Sequence, residues 1–368
     1  MDAKVEDLQL GVYTVPTEAP ESDGTLTWDK TTVVTVEARA GGATGLGVTY
    51  ATGACATLIR DVLAPLALGS DPMDVTGTWT RMVKAIRNLG RPGIASTAIA
   101  AVDTALWDLK AKLLGQPLAR LLGMVRDQVP VYGSGGFTSL SDRELVEQLS
   151  GWAWRDRIPR VKLKIGTAWG TQEHRDLERV ALVRDALGDG VELYVDANGA
   201  YTRKQAVRVG QALAGGSGVT WFEEPVSSDD LEGLREVRDQ CPADVAAGEY
   251  GYDLAYFRRM VAAGAVDCLQ VDVSRCGGIT DWFRAAAVAA AHNLEVSAHC
   301  AQSLSAHPAA ATPNLRHIEY FADHHRVDRL LFDGVLDPTG GMLRPSLDRL
   351  GAGLELKRSD AERYRDRS

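Results

Sequence analysis

The sequence predicts an α/β protein, a parallel barrel of the (β/α)8 TIM type preceded by an N-terminal α+β capping domain. Three observations predict it. Eight short apolar segments recur from residue 129 onward, segments of helical period separate most of them, and a charged residue stands at the end of nearly every one. An open doubly wound sheet is the competing arrangement, but no glycine-rich dinucleotide fingerprint follows any of the strands.

The chain has 368 residues, enough for two domains or one large barrel with an added module. Hydrophobic residues make up 45%, an ordinary share for a globular protein with a sizeable core. The formal net charge of −9 argues against a general nucleic-acid or anionic-membrane binder. A small anion is still admissible, because a local cationic site can override the global sign. The five cysteines, Cys55, Cys241, Cys268, Cys276 and Cys300, form no CxxC pair, and no apolar secretory segment opens the chain. That reads as a reduced, cytoplasmic protein. The alanine-rich run 285–291 is too short to span a bilayer.

The first block alternates in the β manner at 8–13, 31–38 and 44–52, with Gly41 and Gly42 turning the chain between the last two. The polar stretch 17–30 carries Pro, Gly and several acids and reads as a long loop. Helical spacing follows at 55–67, 75–88 and 96–114. This block is expected to form a capping domain over 1–125. The barrel is expected over 126–335. Its strands are VPVYGSG at 129, VKLKIG at 161, VELYVDANG at 191, VTWFEEP at 219, DVAAGEY at 244, CLQVDVSRCGG at 268, LEVSAHC at 294 and LRHIEYF at 315. Amphipathic stretches such as 173–187, 203–214 and 281–292 lie between them. The Gly/Pro-rich segment 336–368 is expected to leave the barrel and pack back on the first domain.

The segment VKLKIG poses a problem. Val161, Leu163 and Ile165 fall on one face of a strand, and Lys162 and Lys164 together on the other. Two buried ammonium groups one pleat apart need partners. The strand ends supply them: Lys164, Asp196, Glu223 or Glu224, Glu249, Asp272, His299 and Glu319 succeed one another at about one βα unit each. In a barrel such positions form a ring around one pocket. Asp196, Glu223 (or Glu224) and Glu249 on consecutive strands would repel without a counter-ion, and an all-oxygen donor set suits Mg2+. Asp272 beside His299 orients the imidazole and raises its basicity. The other histidines, His174, His292, His307, His317, His324 and His325, lack such placement and read as ordinary structural or surface residues. Both lysines then face a metal-bound substrate, with Lys162 and the metal lowering the pKa of Lys164 so that it serves as a base.

These residues resemble the enolase superfamily and, within it, the mandelate racemase-like subgroup. The matching motifs are Lys162-Leu163-Lys164, Asp196-Ala197-Asn198, Glu223-Glu224-Pro225, Gly248-Glu249, the run Asp272 to Thr280, Ala298-His299 and Glu319, in that order along the chain. The resemblance implies the modified enolase barrel, Glu223 rather than Glu224 as the metal ligand, Lys164 as the base on the second strand, and Glu319 as a hydrogen-bonding partner of a substrate carboxylate oxygen. It implies that the polar segment 17–30 closes over the substrate, and it makes a homo-oligomer the expected assembly. Arg275, where a muconate-cycloisomerase-like protein would carry a lysine on the sixth strand, weighs against cycloisomerase and dipeptide-epimerase chemistry.

The expected function is Mg2+-dependent removal of the proton α to a carboxylate, through an enediolate, with dehydration of an acid sugar to a 2-keto-3-deoxy acid as the outcome. The resemblance implies this pairing, since sites of the superfamily combine a Lys or His base with Mg2+. The runner-up is racemisation or epimerisation of a 2-hydroxy acid, and a catalytically silent binding barrel is the remote third reading. The expected catalytic set is Lys164, His299, Asp272, Lys162 and Glu319, the metal set Asp196, Glu223 and Glu249. Lys162, Asn198, Glu319, Trp28 and Tyr50 are the expected substrate contacts. The partner is a small polyhydroxy carboxylate, not a nucleic acid or a membrane.

Overall fold

The computed structural model describes residues 3–338 and 340–366. Its first part is an antiparallel sheet of β1 (Asp7–Ser22), β2 (Thr27–Ala40) and β3 (Ala43–Tyr50) in that order. The long helix Ile94–Leu113 lies on this sheet, with Ala98, Ala101, Val102, Ala105 and Leu109 buried. Two glycines of β3 permit the approach. A Cβ at Gly47 would stand 1.9 Å from the Ala101 carbonyl oxygen, and one at Gly45 2.2 Å from that of Ala105. A side chain at either position would drive helix and sheet apart. The segment expected as one helix over 55–67 runs as Gly53–Leu58, a π-helical turn Ile59–Leu63 and Ala64–Ala67.

The stretch 17–30 corrects the sequence-based expectation. It is not a long loop but the far end of the β1–β2 hairpin. The register slips between Pro16 and Glu21, then Glu21 pairs with Trp28 and Ser22 with Thr27. Only the four residues 23–26 turn, and the Asp23 carboxylate holds that turn by accepting from the backbone N–H of Thr25 (2.6 Å) and Leu26 (2.8 Å). The polar composition misleads because this part of the hairpin stands off the core, so no apolar alternation marks it.

The second part is a closed barrel of eight parallel strands: β4 (Val129–Gly135), β5 (Arg160–Lys164), β6 (Glu192–Asp196), β7 (Val219–Glu223), β8 (Asp244–Ala247), β9 (Cys268–Val271), β10 (Glu295–Ala298) and β11 (Leu315–Phe321), with β11 pairing back to β4. Helices follow every strand, from Asp142–Ser150 after β4 to Ala322–Leu331 after β11. The outward residues of β5, Val161 and Leu163, join the large core beneath these helices. Inside, Tyr132, Tyr194 and Trp221 fill the floor.

The chain after β11 ties the two parts together. Phe332–Asp333 pairs with Glu355–Leu356, and Phe332, Leu354 and Ala361 pack with Tyr13, Val33 and Val48 of the sheet. The loop after β9 is clamped from the other side. Ser274 O accepts from Thr49 Oγ1 (2.8 Å), Gly277 O accepts from Trp79 Nε1 (2.9 Å), and Thr280 Oγ1 donates to Asp103 (2.6 Å). Gly278 is required there, since its φ is +91° and an added Cβ would meet Asp103 Oδ2 at 2.4 Å. Among the described residues no helix is long and apolar enough to cross a membrane.

Candidate active site

The strand ends converge as the pleat demands. On β5 both lysines point into the barrel, Lys162 fully buried and Lys164 6% exposed. Lys162 Nζ lies 2.6 Å from Glu223 Oε1, 2.7 Å from Glu319 Oε1 and 3.6 Å from Asp196 Oδ2. Lys164 Nζ donates to Asp196 Oδ2. The two like charges are thus tolerated because three carboxylates stand around them.

Asp196, Glu223 and Glu249 each offer a carboxylate oxygen, and these oxygens lie within 4.8 Å of one another. Glu249 Oε1 accepts from Arg275 (3.1 Å), whereas the buried Glu249 Oε2 makes no hydrogen bond, and neither do Asn198 Oδ1 and Glu224 Oε1. A trio of oxygen donors, with Asn198 Oδ1 and Glu224 Oε1 unbonded and Glu249 Oε2 facing His299 Nε2 at 3.2 Å, fits a hard divalent cation such as Mg2+. Burial, then the neighbouring Asp196 and Glu319 carboxylates, push the Glu223 carboxyl up to about 8 despite Lys162. The Asp196 carboxyl is held low: burial would raise it, but Lys164, Lys162 and the Asn198 N–H outweigh that.

His299 Nδ1 is 2.7 Å from Asp272 Oδ2, and Asp272 Oδ1 accepts from the N–H (2.7 Å) and hydroxyl (2.6 Å) of Ser274. Burial would raise the Asp272 carboxyl, but its bond to His299, with the charges of His299 and Arg275, pulls it down to about 2. The imidazole of His299 is favoured in its charged form. Burial works against that, and Glu249, Glu319 and Asp272 prevail over Arg275. Glu319 Oε1 accepts from Ser134 Oγ at 2.6 Å.

Above these groups opens a cavity of about 310 Å3 between the sheet and the barrel. Lys164, Asn198, Glu249, His299 and Glu319 line it from below, Trp28 and Tyr50 from above. Lys162, Asp196, Glu223 and Asp272 lie deeper. Trp28 Nε1 donates to Glu21 Oε2 (3.0 Å), and the Tyr50 hydroxyl donates to Asp328 Oδ1 (2.5 Å).

The structure corrects the sequence reading at three points. The lowering of Lys164 expected from Lys162 and a metal is not produced by the protein's own groups, which raise its pKa. Burial and Lys162 do push it down, yet the Asp196 carboxylate outweighs both. His324, read as ordinary, lines the cavity and stacks on Tyr50 at 3.4 Å between ring centroids. Burial pushes it down to about 4, so it presents a neutral ring. Arg275, used only to weigh against a lysine, bridges Glu249 Oε1 and Asp272 Oδ2 (3.4 Å). Its position three residues after a strand-end acid was the available signal. Cys300 and the tie from Ser134 to Glu319 carried none.

Asn198, Glu224, Cys300 and Ala301 leave their strands with φ between +38° and +46°. Left-handed backbone at non-glycine residues is costly and concentrates where side chains must be aimed.

A closed barrel whose mouth gathers ionisable groups from most of its strands defines an enzyme-type site, and comparison with known proteins gives its lineage. The family model "Mandelate racemase / muconate lactonizing enzyme, N-terminal domain" matches residues 9–123, and "Enolase C-terminal domain-like" matches 144–361. The chain belongs to the mandelate racemase/muconate lactonizing enzyme family of the enolase superfamily. Among solved structures it is similar to a mandelate racemase/muconate lactonizing enzyme-like protein from Rubrobacter xylanophilus, with 53% identity, a TM-score of 0.95, and 99% of this chain and 100% of that one covered. It is 31% identical over 364 residues to the L-talarate/galactarate dehydratase of Salmonella typhimurium LT2, covering 96% of this chain and 89% of that protein. It also resembles a racemase from Streptomyces coelicolor A3(2) solved with bound magnesium, at 31% identity and a TM-score of 0.92, with 98% and 100% of the two chains covered.

Proposed function

We propose that this protein is a Mg2+-dependent acid-sugar dehydratase, converting a polyhydroxy carboxylate to a 2-keto-3-deoxy acid and water. One observation carries the reading: Lys164 and the Asp272-supported His299 line one cavity, with the oxygen trio Asp196, Glu223 and Glu249 set beneath it. The dehydratase from Salmonella typhimurium supports dehydration as the outcome.

Asp196, Glu223 and Glu249 hold the ion in this reading. Bound Mg2+ would supply positive charge where the substrate carboxylate gains electron density and would offset the Asp196 charge beside Lys164. Lys164 then takes the α-proton. Lys162, fixed between Glu223 and Glu319, adds a second positive charge at the developing enediolate. The Glu319 carboxyl steers the substrate carboxylate. His299, held charged with its Nδ1 on Asp272, gives its Nε2 proton to the departing β-hydroxyl, which leaves as water. The enol product tautomerises to the keto acid.

A second reading has one specific support. The same Lys164 and His299 could exchange protons with the α-carbon and release nothing, giving racemisation or epimerisation, and the Streptomyces coelicolor relative is named a racemase. Proton NMR of acid sugars and 2-hydroxy acids in D2O, with Mg2+ and with EDTA controls, separates the two. Dehydration consumes the α-proton signal and produces 2-keto-3-deoxy signals only when Mg2+ is present. Exchange without a keto product replaces the dehydratase reading with the epimerase one. Turnover undiminished by EDTA removes the metal from both.

A further inference from the structure

One group at the site has no part in that chemistry. Cys300 follows His299, lines the cavity, and is 2% exposed. Its Sγ lies 3.3 Å from His299 Nε2 and 3.3 Å from Glu319 Oε2, and those two atoms are 3.6 Å apart. Three protein atoms of different hardness, N, S and O, therefore form a nearly equilateral triangle on one wall.

We propose that His299, Cys300 and Glu319 constitute a second, inhibitory metal site for a thiophilic divalent cation of the Zn2+ class.

The triangle has the right size. Tetrahedral Zn2+ with usual bond lengths of about 2.0–2.3 Å places neighbouring ligand atoms about 3.3–3.6 Å apart. Each observed edge differs from its own ideal by at most a few tenths of an ångström, so small side-chain movement suffices. The donor set also separates this site from the oxygen-only trio of Asp196, Glu223 and Glu249. Thiolate and imidazole favour Zn2+, whereas carboxylates alone suit Mg2+. All three residues line the cavity, and Glu249 Oε2 borders the triangle at 3.2 Å from His299 Nε2. Binding releases two protons to solvent, one from Cys300 Sγ and one from Nε2 of the charged His299, and changes no oxidation state. It also occupies His299 Nε2, the atom that must carry a proton in the proposed reaction. Ion capture itself stands independently of that reaction; only the loss of turnover rests on it.

No alternative thiol cluster competes for such an ion. Cys55, Cys241, Cys268 and Cys276 are buried elsewhere, and among the described residues Cys300 is the only cysteine with two further ligand atoms in reach.

The test adds CoCl2, then ZnCl2, to the full-length protein in excess Mg2+. The expected result is a thiolate-to-cobalt charge-transfer absorption saturating at one ion per chain and bleached by Zn2+. Cys300→Ser and Cys300→Ala should both lose that band while keeping the Mg2+-dependent rise in Tm, which shows that they are folded. On the substrate found by NMR, Zn2+ should slow the Mg2+ enzyme at least about tenfold, reversibly by chelation, and Cys300→Ser should weaken this inhibition about 10–100-fold in Zn2+ concentration. Absence of the band in the wild-type protein overturns the site. So does a band of equal strength in either folded variant. Zn2+ inhibition that is identical in Cys300→Ser assigns the effect to replacement of Mg2+ and overturns the inhibitory role. Failure to find any substrate leaves the absorption test to decide the site alone.

Discussion

The barrel interior has two layers built from the same strands, and they treat charge in opposite ways. On β4, β6 and β7 the lower inward residues are Tyr132, Tyr194 and Trp221, and two residues later the same faces carry Ser134, Asp196 and Glu223. On β11 the step is from His317 to Glu319. One pleat, about 7 Å along a strand, therefore separates an aromatic floor from an ionised mouth. The floor rings stack and tilt on one another at 4.7 to 6.3 Å between centroids. They exclude water from below, and a low dielectric strengthens every charge interaction above them. The layers touch at defined atoms: Trp221 Nε1 donates to Glu223 Oε2 (3.0 Å), and Lys162 Nζ lies 5.1 Å above the Tyr132 ring. What the difference teaches is that the aromatic layer admits one charge, Lys162, rooted level with Tyr194, and that its ammonium is satisfied from the layer above by Glu223 and Glu319.

The titratable groups follow the same division. In the mouth, partners overcome burial at Asp272, held ionised at about 2, and at Asp196, whereas Glu223 is still pushed up by burial and its carboxylate neighbours. In the floor, burial wins. His317 is pushed well below 6.5 by burial first and by Arg316, Arg160 and Lys162 next, so it stays neutral with Nδ1 on the Ser297 hydroxyl (2.9 Å).

The largest expected effect breaks the mouth without touching the floor. Lys164→Ala and His299→Asn should each lower kcat by about 10²–10⁴, as removal of a positioned acid or base does, while the Tm stays near that of the parent. Full activity in either variant removes that residue from the proton-transfer pair. Breaking the floor should do the reverse. Trp221→Ala leaves a cavity under Glu223 and should cost about 3–5 kcal/mol of unfolding free energy, read by urea titration. A loss below about 1 kcal/mol would mean that the floor collapses without consequence. The smallest effect sharpens the comparison through pH. The unfolded chain takes a proton at His317 near pH 6.5 and the folded floor refuses it until far lower pH, so this group contributes stability above 6.5 that is lost as pH falls. His317→Gln should therefore flatten part of the decline in Tm between about pH 7 and about pH 5. An unchanged slope would show that the floor accepts the proton.

The strand-end residues were legible because a barrel strand end carries two independent signals, an apolar run and a charged terminus, repeated at one βα spacing. Val161, Leu163 and the lysines between them announced their faces by alternation alone. The hairpin at 17–30 was not legible, since it meets the barrel at scattered points such as Trp28 on Phe137 and Ser22 on Thr138 and leaves no period in the sequence. His324 was missed because its place in the cavity depends on Tyr50, far away in the chain, arriving beside it. Cys300 was missed for the same reason: its meaning lies in distances to His299 and Glu319, and only the second of these crosses strands.

By itself the sequence determined the barrel, its capping module and the identity of the groups that meet at the mouth, because periodicity and strand-end spacing are local properties of the chain. Tertiary structure alone decided which of those groups hold charge. Lys164 is read from the sequence as lowered by Lys162 together with a metal; among the protein's own groups Lys162 does lower it, and Asp196 outweighs both Lys162 and burial. Charge state follows distance and burial through space, and neither is written in the order of residues.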